Sequence, residues 1–225
     1  MRPKTSQELN FKRAKARLIA RRHATRYRAL ARALIHYATS SITPQQTQKE
    51  ISVMAKILEK KSPCNFLIFG LGHDSLMWSS LNFGRRTVFL EEDEAWIDQI
   101  RRRFPMLESY HVTYDSKVNQ ADNLMDVCRG SECAAIVDPK YSIRPDRNHE
   151  DAPGRMNAIY TAGMMARNKE KGETDVFVND VNRAIEDKLS MAFLSEGYMK
   201  KQEGRLRHIR IPNHKDSLER PFCPE

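Results

Sequence analysis

Residues 64–94 read CNFLIFGLGHDSLMWSSLNFGRRTVFLEEDE, and this stretch determines the predicted fold. Four apolar residues, Phe66 to Phe69, run into Gly70-Leu71-Gly72; a helix-like segment follows, and a second apolar run, Thr87 to Leu90, ends at Glu91. A strand, a glycine turn, a helix and a second strand ending in a carboxylate are typical of half of a nucleotide-type binding site. The glycines let the backbone approach a ligand closely, and the acid about 20 residues downstream suits a ribose diol. The alternative is an ordinary β-α-β unit whose glycines only form the turn.

Composition and apolar periodicity predict further elements on both sides of this stretch. Thr43-Pro44 predicts the start of a helix, because Pro is favoured at the first helical position. The other predicted helices are 7–37, 93–103, 156–167 and 183–194, and the other predicted strands are 110–114, 174–178 and 206–211. This order indicates an α/β fold with a largely parallel sheet.

Two acids follow predicted strands: Asp115 comes after 110–114, and Asp180 comes after 174–178. In doubly wound sheets, ligands lie outside the carboxyl ends of the strands. Asp115 is therefore expected to contact the same ligand as Glu91. The alternative for Asp115 is a loop-capping role.

The basic charge is confined to one end of the chain. The 225 residues carry a net charge of +9, yet residues 1–32 hold eleven Lys or Arg and the single acid Glu8, so the remaining residues sum to −1. We therefore predict a basic helical arm over 1–40 and one domain over 41–225. The arm is either solvated or binds an anionic membrane surface or polymer. A neutral body argues against a nucleic-acid partner, because a catalytic groove for a polyanion should itself be basic.

Membrane and metal signals are both missing from the sequence. No stretch approaches the roughly 18 consecutive apolar residues of a membrane span, and the first residues lack an apolar signal core, so a soluble chain is expected. The four cysteines form no CxxC pair and have no neighbouring His in zinc-finger register. A structural zinc site is therefore not expected, and we assign no metal-ligating residues.

Several long motifs are specific enough to indicate a family. These are FGLGHDSLMW, RTVFLEED, APGRMNAIYTAGMMAR, ETDVFV-x-DV-x-R, and GRLRH followed by IP. Over about residues 33–225 the chain resembles the plant glucuronoxylan 4-O-methyltransferases and their xylan-deposition relatives. The resemblance implies a class I S-adenosylmethionine-dependent methyltransferase fold with a Rossmann-like sheet. It also implies methyl transfer to O4 of the glucuronic acid side groups of glucuronoxylan in the Golgi lumen.

The resemblance assigns a cofactor role to residues around the glycine turn. It implies that Glu91 holds the ribose of S-adenosylmethionine and that Asp115 lies near the adenine. The residues implied to border the methionine moiety are Gly70, Gly72, His73 and Asp74.

The acceptor oxygen must be aligned with the methyl donor and must lose a proton. Asp180 is a candidate catalytic base or orienting group, and His73 is the other candidate base. A substrate carboxylate suits an arginine fork, and Arg155 and Arg183 flank the expected site mouth. The alternative for each arginine is a salt bridge or a helix-end role.

The chain departs from the family pattern in three places. The family usually carries a Trp-Asp-apolar strand ending in Asp shortly before the APGRM motif, whereas here SECAAIVDPKYS leads almost directly to Asp151. We therefore expect one central strand to be missing, or to be shortened with Asp138 at its end. Asn179 stands where the family commonly has His, and we expect this chain to lack the N-terminal membrane anchor with which the family usually begins. These departures keep an alternative open, namely a non-catalytic or defective xylan-associated protein.

Overall fold

The computed structural model describes residues 6–113 and 156–213, which fall into two compact units. The first unit comprises Met1–Gln45 and Ala55–Tyr110, and the second comprises Gln46–Met54 and His111–Glu225. Both units mix helices with a three-stranded sheet, so the predicted α/β class is confirmed. None of the described helices is long and apolar enough to cross a bilayer.

The first unit is built on the predicted β-α-β arrangement. Its elements are α1 (Ser6–Thr39), the later part of α2 (Gln48–Lys61), β1 (Phe66–Phe69), α3 (Ser75–Leu81), β2 (Thr87–Glu91), α4 (Glu94–Arg103) and β3 (Glu108–His111). The strand order is β1-β2-β3, and β1 runs parallel to β2 with Phe66 opposite Thr87. The parallel pair places the ends of β1 and β2 side by side, next to the glycine turn.

The core of the first unit lies between α1, the sheet and α4. Ile97 and Ile100 are one helical turn apart, which puts them on the buried face of α4, and Phe104, directly after the helix, is also buried. The buried cluster comprises Ala33, Leu71, Leu76, Phe89, Ile97, Ile100, Phe104 and Leu107. The strand predicted at 110–114 lies instead at 108–111, because Leu107 and Ser109 face inward whereas Tyr110 is exposed.

Helix α2 begins at Gln48, so the predicted start at Pro44 is wrong. The Thr47 N–H donates to Glu50 Oε2 at 2.7 Å, and the Glu50 N–H donates to Thr47 Oγ1 at 3.3 Å. This reciprocal pair is a capping box, which satisfies two N–H groups that the helix itself leaves unpaired. The Thr47-x-x-Glu50 signal therefore decides the helix start.

The second unit contains an antiparallel sheet packed on two helices. Its elements are the start of α2, α5 (Met156–Arg167), β4 (Glu173–Val178), α6 (Ala184–Leu194), a 3₁₀ turn (Glu196–Tyr198), β5 (Met199–Glu203) and β6 (Leu206–Pro212). The strand order is β4-β6-β5, and both pairs are antiparallel. The buried cluster comprises Ile159, Ala166, Val176, Val178, Val181, Leu189, Phe193, Leu194, Ile209 and Ile211.

The expectation of a largely parallel sheet is wrong for this unit, and β5 was not predicted. Strands β5 and β6 are joined by the two-residue turn Gly204-Arg205, in which Gly204 has φ +56°. A turn this short can join only antiparallel neighbours. The β5 sequence MKKQE is almost wholly exposed and lacks apolar alternation, so its strand character comes from pairing with β6.

The expected missing or shortened central strand, with Asp138, lies outside the described residues.

Candidate functional site

The turn after β1 is open toward solvent at Gly70. The Gly70 N–H donates to the Leu90 carbonyl at 2.6 Å, and its φ of +113° is one that residues with a Cβ rarely adopt. A Cβ placed on Gly70 would meet no atom within 4 Å. The position therefore combines a fixed backbone with free space beside it, which suits the close approach of a ligand.

Glu91 ties this turn to the end of β2. Its Oε2 accepts a hydrogen bond from the Leu71 N–H at 2.9 Å, and its Oε1 accepts from the N–H groups of Glu92 at 2.8 Å and Asp93 at 3.1 Å. The side chain is buried. A carboxylate oxygen has two lone pairs, so Oε2 keeps one acceptor position beyond its bond to Leu71. Glu91 thus shapes the turn and retains the capacity to accept a hydroxyl.

Two aromatic side chains hold the carbonyl groups of the same turn. Trp96 Nε1 donates to the Leu71 carbonyl at 2.6 Å, and the Tyr37 hydroxyl donates to the His73 carbonyl at 2.6 Å. Burial raises the pKa of Tyr37 to about 12, so the phenol stays a donor at neutral pH. Neither residue was predicted to belong to the site. Tyr37 belongs to α1, so the end of the predicted arm takes part in shaping the turn.

His73 carries a buried polar atom that lacks a partner. Its imidazole packs edge-on against the Trp96 ring, with centroids 5.2 Å apart. Within residues 6–113 and 156–213, Nδ1 is buried and makes no hydrogen bond. An unpaired buried polar group carries a desolvation cost of about 1–3 kcal/mol, which a polar ligand atom would relieve.

Gly72 and Asp74 are packed against each other at the start of α3. Asp74 Oδ2 accepts a hydrogen bond from Trp78 Nε1 at 2.8 Å, which fixes the carboxylate. A Cβ on Gly72 would lie 2.9 Å from Asp74 Oδ1, so a side chain there would displace it. The Gly72 N–H donates to Ser75 Oγ at 2.9 Å. The glycine is therefore required for the position of Asp74.

In the second unit, Asp180 lies just after β4 and contacts two arginines. Its backbone has φ +60°, which is uncommon for a residue with a Cβ and is found at functional turns. Arg205 Nη1 donates to Asp180 Oδ1 at 2.9 Å, and Arg183 Nη2 lies 3.5 Å from Oδ2. The Asp180 side chain is 16% exposed, whereas those of Arg183 and Arg205 are about 40% exposed.

The carboxylate of Glu50 holds the backbone of Arg205, whose side chain contacts Asp180. Its Oε1 accepts a hydrogen bond from the Arg205 N–H at 2.6 Å, in addition to the capping box with Thr47, and the side chain is only 2% exposed. Burial alone would raise the pKa of Glu50, but hydrogen bonds from Thr47 and Arg205 and the Arg205 charge hold it below its usual value. A Cβ on Gly204 would lie 2.7 Å from Oε1, so a side chain at this turn position would displace the Glu50 carboxylate. One carboxylate thus joins the start of α2 to the β5–β6 turn.

A second buried acid, Glu186, lies 3.8 Å from Arg183 and completes this polar cluster. The cluster comprises Glu50, Asp180, Arg183, Glu186 and Arg205. Neither Glu50 nor Arg205 was predicted to belong to the site. Their available signals were the Thr47-x-x-Glu50 capping box and the Glu-Gly-Arg turn before an alternating strand.

The structure groups the predicted site residues by unit. Gly70, Gly72, His73, Asp74 and Glu91 lie together in the first unit, and Asp180 and Arg183 lie together in the second. Asp115 and Arg155 lie outside the described residues. In the part of the chain that the structure describes, no group of three His, Cys, Asp or Glu residues is arranged to hold a metal ion.

Comparison with known proteins gives consistent matches over most of the chain. The family model described as IRX15/IRX15L/GXM matches residues 49–148 and 143–209. Among relatives from Arabidopsis thaliana, Glucuronoxylan 4-O-methyltransferase 1 is 67% identical over 88% of this chain and 80% of its own length. Arabinogalactan O-methyltransferase 2 is 38% identical over 84% of this chain and 76% of its own length. Protein IRREGULAR XYLEM 15 is 29% identical over 85% of this chain and 68% of its own length. No solved structure gives a significant match.

Proposed function

Because the chain belongs to the IRX15/IRX15L/GXM family, we propose that it is a glucuronoxylan 4-O-methyltransferase of xylan biosynthesis that uses S-adenosylmethionine. The observation that carries the proposal is the 67% identity to a glucuronoxylan 4-O-methyltransferase over 88% of the chain. Two further relatives with this activity in their names are each 54% identical. By its role in this pathway, the protein acts in the Golgi.

We further propose that the fold is of the class I methyltransferase type. The order β1-β2-β3, with β1 parallel to β2 and α3 between them, is that of one half of a doubly wound sheet. The family model matches in two segments, 49–148 and 143–209, that overlap at residues 143–148. This split supports a shortened segment at the place where the central strand is expected.

The first unit supplies groups that suit the methyl donor. S-adenosylmethionine, when bound, supplies a methyl group on a positively charged sulfur. The open side of Gly70 lets the backbone approach it, Glu91 Oε2 has a lone pair for a ribose hydroxyl, and His73 Nδ1 is a buried atom in need of a partner. Gly72 and Asp74 border the same turn. Asp115 is assigned to the adenine by the family resemblance.

The second unit supplies groups that suit a sugar acid. We assign Asp180 as the base or orienting group for the acceptor hydroxyl. Its carboxylate is held by the hydrogen bond from Arg205 and lies 3.5 Å from Arg183, and an ionised carboxylate is an acceptor for a hydroxyl donor. Arg183 and Arg155 are assigned to the glucuronic acid carboxylate, which an arginine binds through paired N–H donors. His73 remains the alternative base.

Two other candidate functions have support from relatives. Arabinogalactan O-methyltransferases 1 and 2 are 41% and 38% identical, which makes arabinogalactan a second candidate acceptor. Protein IRREGULAR XYLEM 15, at 29% identity, has no activity in its name, which keeps a non-catalytic role as the other alternative. Binding of the arm to an anionic membrane stays a prediction without support from these relatives.

Transfer of a radiolabelled methyl group separates these candidates. The purified full chain is incubated with labelled S-adenosylmethionine and either glucuronoxylan or arabinogalactan, both stripped of methyl groups. The proposal predicts label in glucuronoxylan and little in arabinogalactan, and the reverse preference would contradict it. Calorimetry with S-adenosylmethionine provides the second readout: absence of detectable binding would support the non-catalytic alternative.

A further inference from the structure

Helix α1 carries a row of arginines along one face. Arg17 and Arg21 follow Arg13 at intervals of four residues, and Arg28 and Arg32 continue the row at intervals of seven and four. At 100° per residue, all five fall within about 100° of the helix circumference, and the row extends for about 28 Å along the axis. All five side chains are exposed. We call Arg13, Arg17, Arg21, Arg28 and Arg32 the arginine stripe.

The arginine stripe points away from the face that packs on the first unit. Ala33 is buried, the Ala29 carbonyl accepts a hydrogen bond from Ser80 Oγ at 3.3 Å, and Tyr37 bonds to the His73 carbonyl. These three positions lie on a different side of the helix, more than 100° of arc from the centre of the stripe. Packing on α3 therefore leaves the arginine stripe accessible.

The apolar residues of α1 that the structure describes as exposed do not form a second, opposite face. Six large apolar side chains are exposed, and helical geometry spreads them around the circumference. They are Phe11, Leu18, Ile19, Tyr27, Leu34 and Ile35. A helix that lies in a membrane interface needs one continuous apolar face to insert. The arrangement therefore favours a partner that is recognised by charge alone.

Resting on the proposed function, we propose that the arginine stripe binds the acidic polysaccharide substrate outside the catalytic site. The partner is a glycan chain with carboxylates at intervals, as glucuronic acid side groups provide. Residues 9–39 contain no Asp or Glu, so no acidic side chain in this part of the helix neutralises the positive charge of the arginine stripe. The rest of the chain beyond residue 32 has a net charge of −1, so the excess positive charge of the protein lies in residues 1–32. Guanidinium groups bind carboxylates through paired hydrogen bonds, and successive arginines would hold one extended chain in register with the enzyme.

The test compares two triple variants that remove the same charge from the same helix. The stripe variant carries Arg17→Gln, Arg21→Gln and Arg28→Gln. The control variant carries Lys12→Gln, Lys15→Gln and Arg26→Gln, which are exposed and lie off the stripe. Circular dichroism checks that both variants keep the helix content of the wild type. Binding to glucuronoxylan is then measured by affinity electrophoresis without S-adenosylmethionine, so the result is independent of catalysis.

The proposal predicts roughly tenfold weaker glucuronoxylan binding for the stripe variant and a smaller loss for the control. Binding should weaken with added salt, as expected for exposed charges, and should be absent for xylan without glucuronic acid. Equal losses in both variants, or equal binding to the uncharged xylan, would overturn the inference. Tighter binding to anionic vesicles or to single-stranded nucleic acid than to glucuronoxylan would also overturn it.

Kinetics distinguish failure of this inference from failure of the proposed function. With polymeric glucuronoxylan as acceptor, the stripe variant should show a higher KM and an unchanged kcat. With a short oligosaccharide carrying one glucuronic acid, its KM should equal that of the wild type. An unchanged KM of the stripe variant for the polymer would refute the docking surface and leave the proposed activity intact. Polymer binding by the wild type without any methyl transfer would refute only the proposed activity.

Discussion

The Leu71 N–H donates a hydrogen bond to Glu91 Oε2 at 2.9 Å. This bond joins the turn after β1 to the last residue of β2, 20 positions later in the chain. Glu91 also accepts from the N–H groups of Glu92 and Asp93, so one buried carboxylate satisfies three backbone donors. The acid expected to bind a ribose is therefore also the residue that holds the glycine turn in shape.

Replacing Glu91 with Gln should weaken both folding and cofactor binding. A Gln side chain has one acceptor oxygen, and its NH₂ group would face at least one backbone donor. The unpaired donor should lower the free energy of unfolding by about 1–3 kcal/mol. Denaturant unfolding measures this loss, and calorimetry should show weaker S-adenosylmethionine binding. Glu94→Gln, at an exposed position in the first turn of α4, is the control and should change unfolding by less than about 0.5 kcal/mol.

Tyr37→Phe tests whether α1 supports the site. The change removes only the hydroxyl that donates to the His73 carbonyl at 2.6 Å, so we expect a loss of stability of about 1 kcal/mol. We also expect several-fold weaker binding of S-adenosylmethionine in calorimetry. Tyr110→Phe removes an exposed hydroxyl that donates to Glu108, and it serves as the matched control. Equal cofactor affinity in Tyr37→Phe and wild type would show that this bond does not shape the binding turn.

Two glycine substitutions isolate the contact between Gly204 and Glu50. Both Gly204 (φ +56°) and Gly172 (φ +79°) have left-handed backbones, so alanine at either site should cost about 1–2 kcal/mol in conformational strain. A Cβ at Gly204 also meets Glu50 Oε1 at 2.7 Å, whereas one at Gly172 meets nothing within 4 Å. Thermal unfolding should therefore show a larger loss for Gly204→Ala. Equal losses would mean that Glu50 moves aside without cost.

Glu50 should make stability depend on pH in the acidic range. Its folded pKa lies below the ordinary value of 4.5, so its contribution is complete above that value and is lost as the pH falls through the folded pKa. Unfolding of the wild type and of Glu50→Gln is compared between pH 7 and pH 3. The difference in unfolding free energy should shrink steadily below about pH 4.5. A constant difference across this range would contradict the assigned pKa direction.

The sequence predicted the first unit better than the second for a physical reason. The segment 66–91 contains apolar strands and a glycine turn, and its local pattern alone places Gly70 beside Glu91. The β5–β6 hairpin depends on Gly204-Arg205 and on pairing with a neighbouring strand, because the exposed MKKQE segment has no apolar period. Tyr37 and Trp96 act through hydrogen bonds to backbone carbonyls, which no residue spacing in the sequence reveals. Glu50 and Arg205 are 155 positions apart in the chain, so only the folded structure brings them together.

The position of the transferred methyl group tests the central claim most directly. The full chain is incubated with S-adenosylmethionine and glucuronoxylan that lacks methyl groups, and the product is examined by nuclear magnetic resonance. We predict a methyl group on O4 of glucuronic acid, and its loss in Asp180→Asn while calorimetry still detects S-adenosylmethionine binding. Bound S-adenosylmethionine without any product, or a methyl group on another oxygen, would contradict the proposed function.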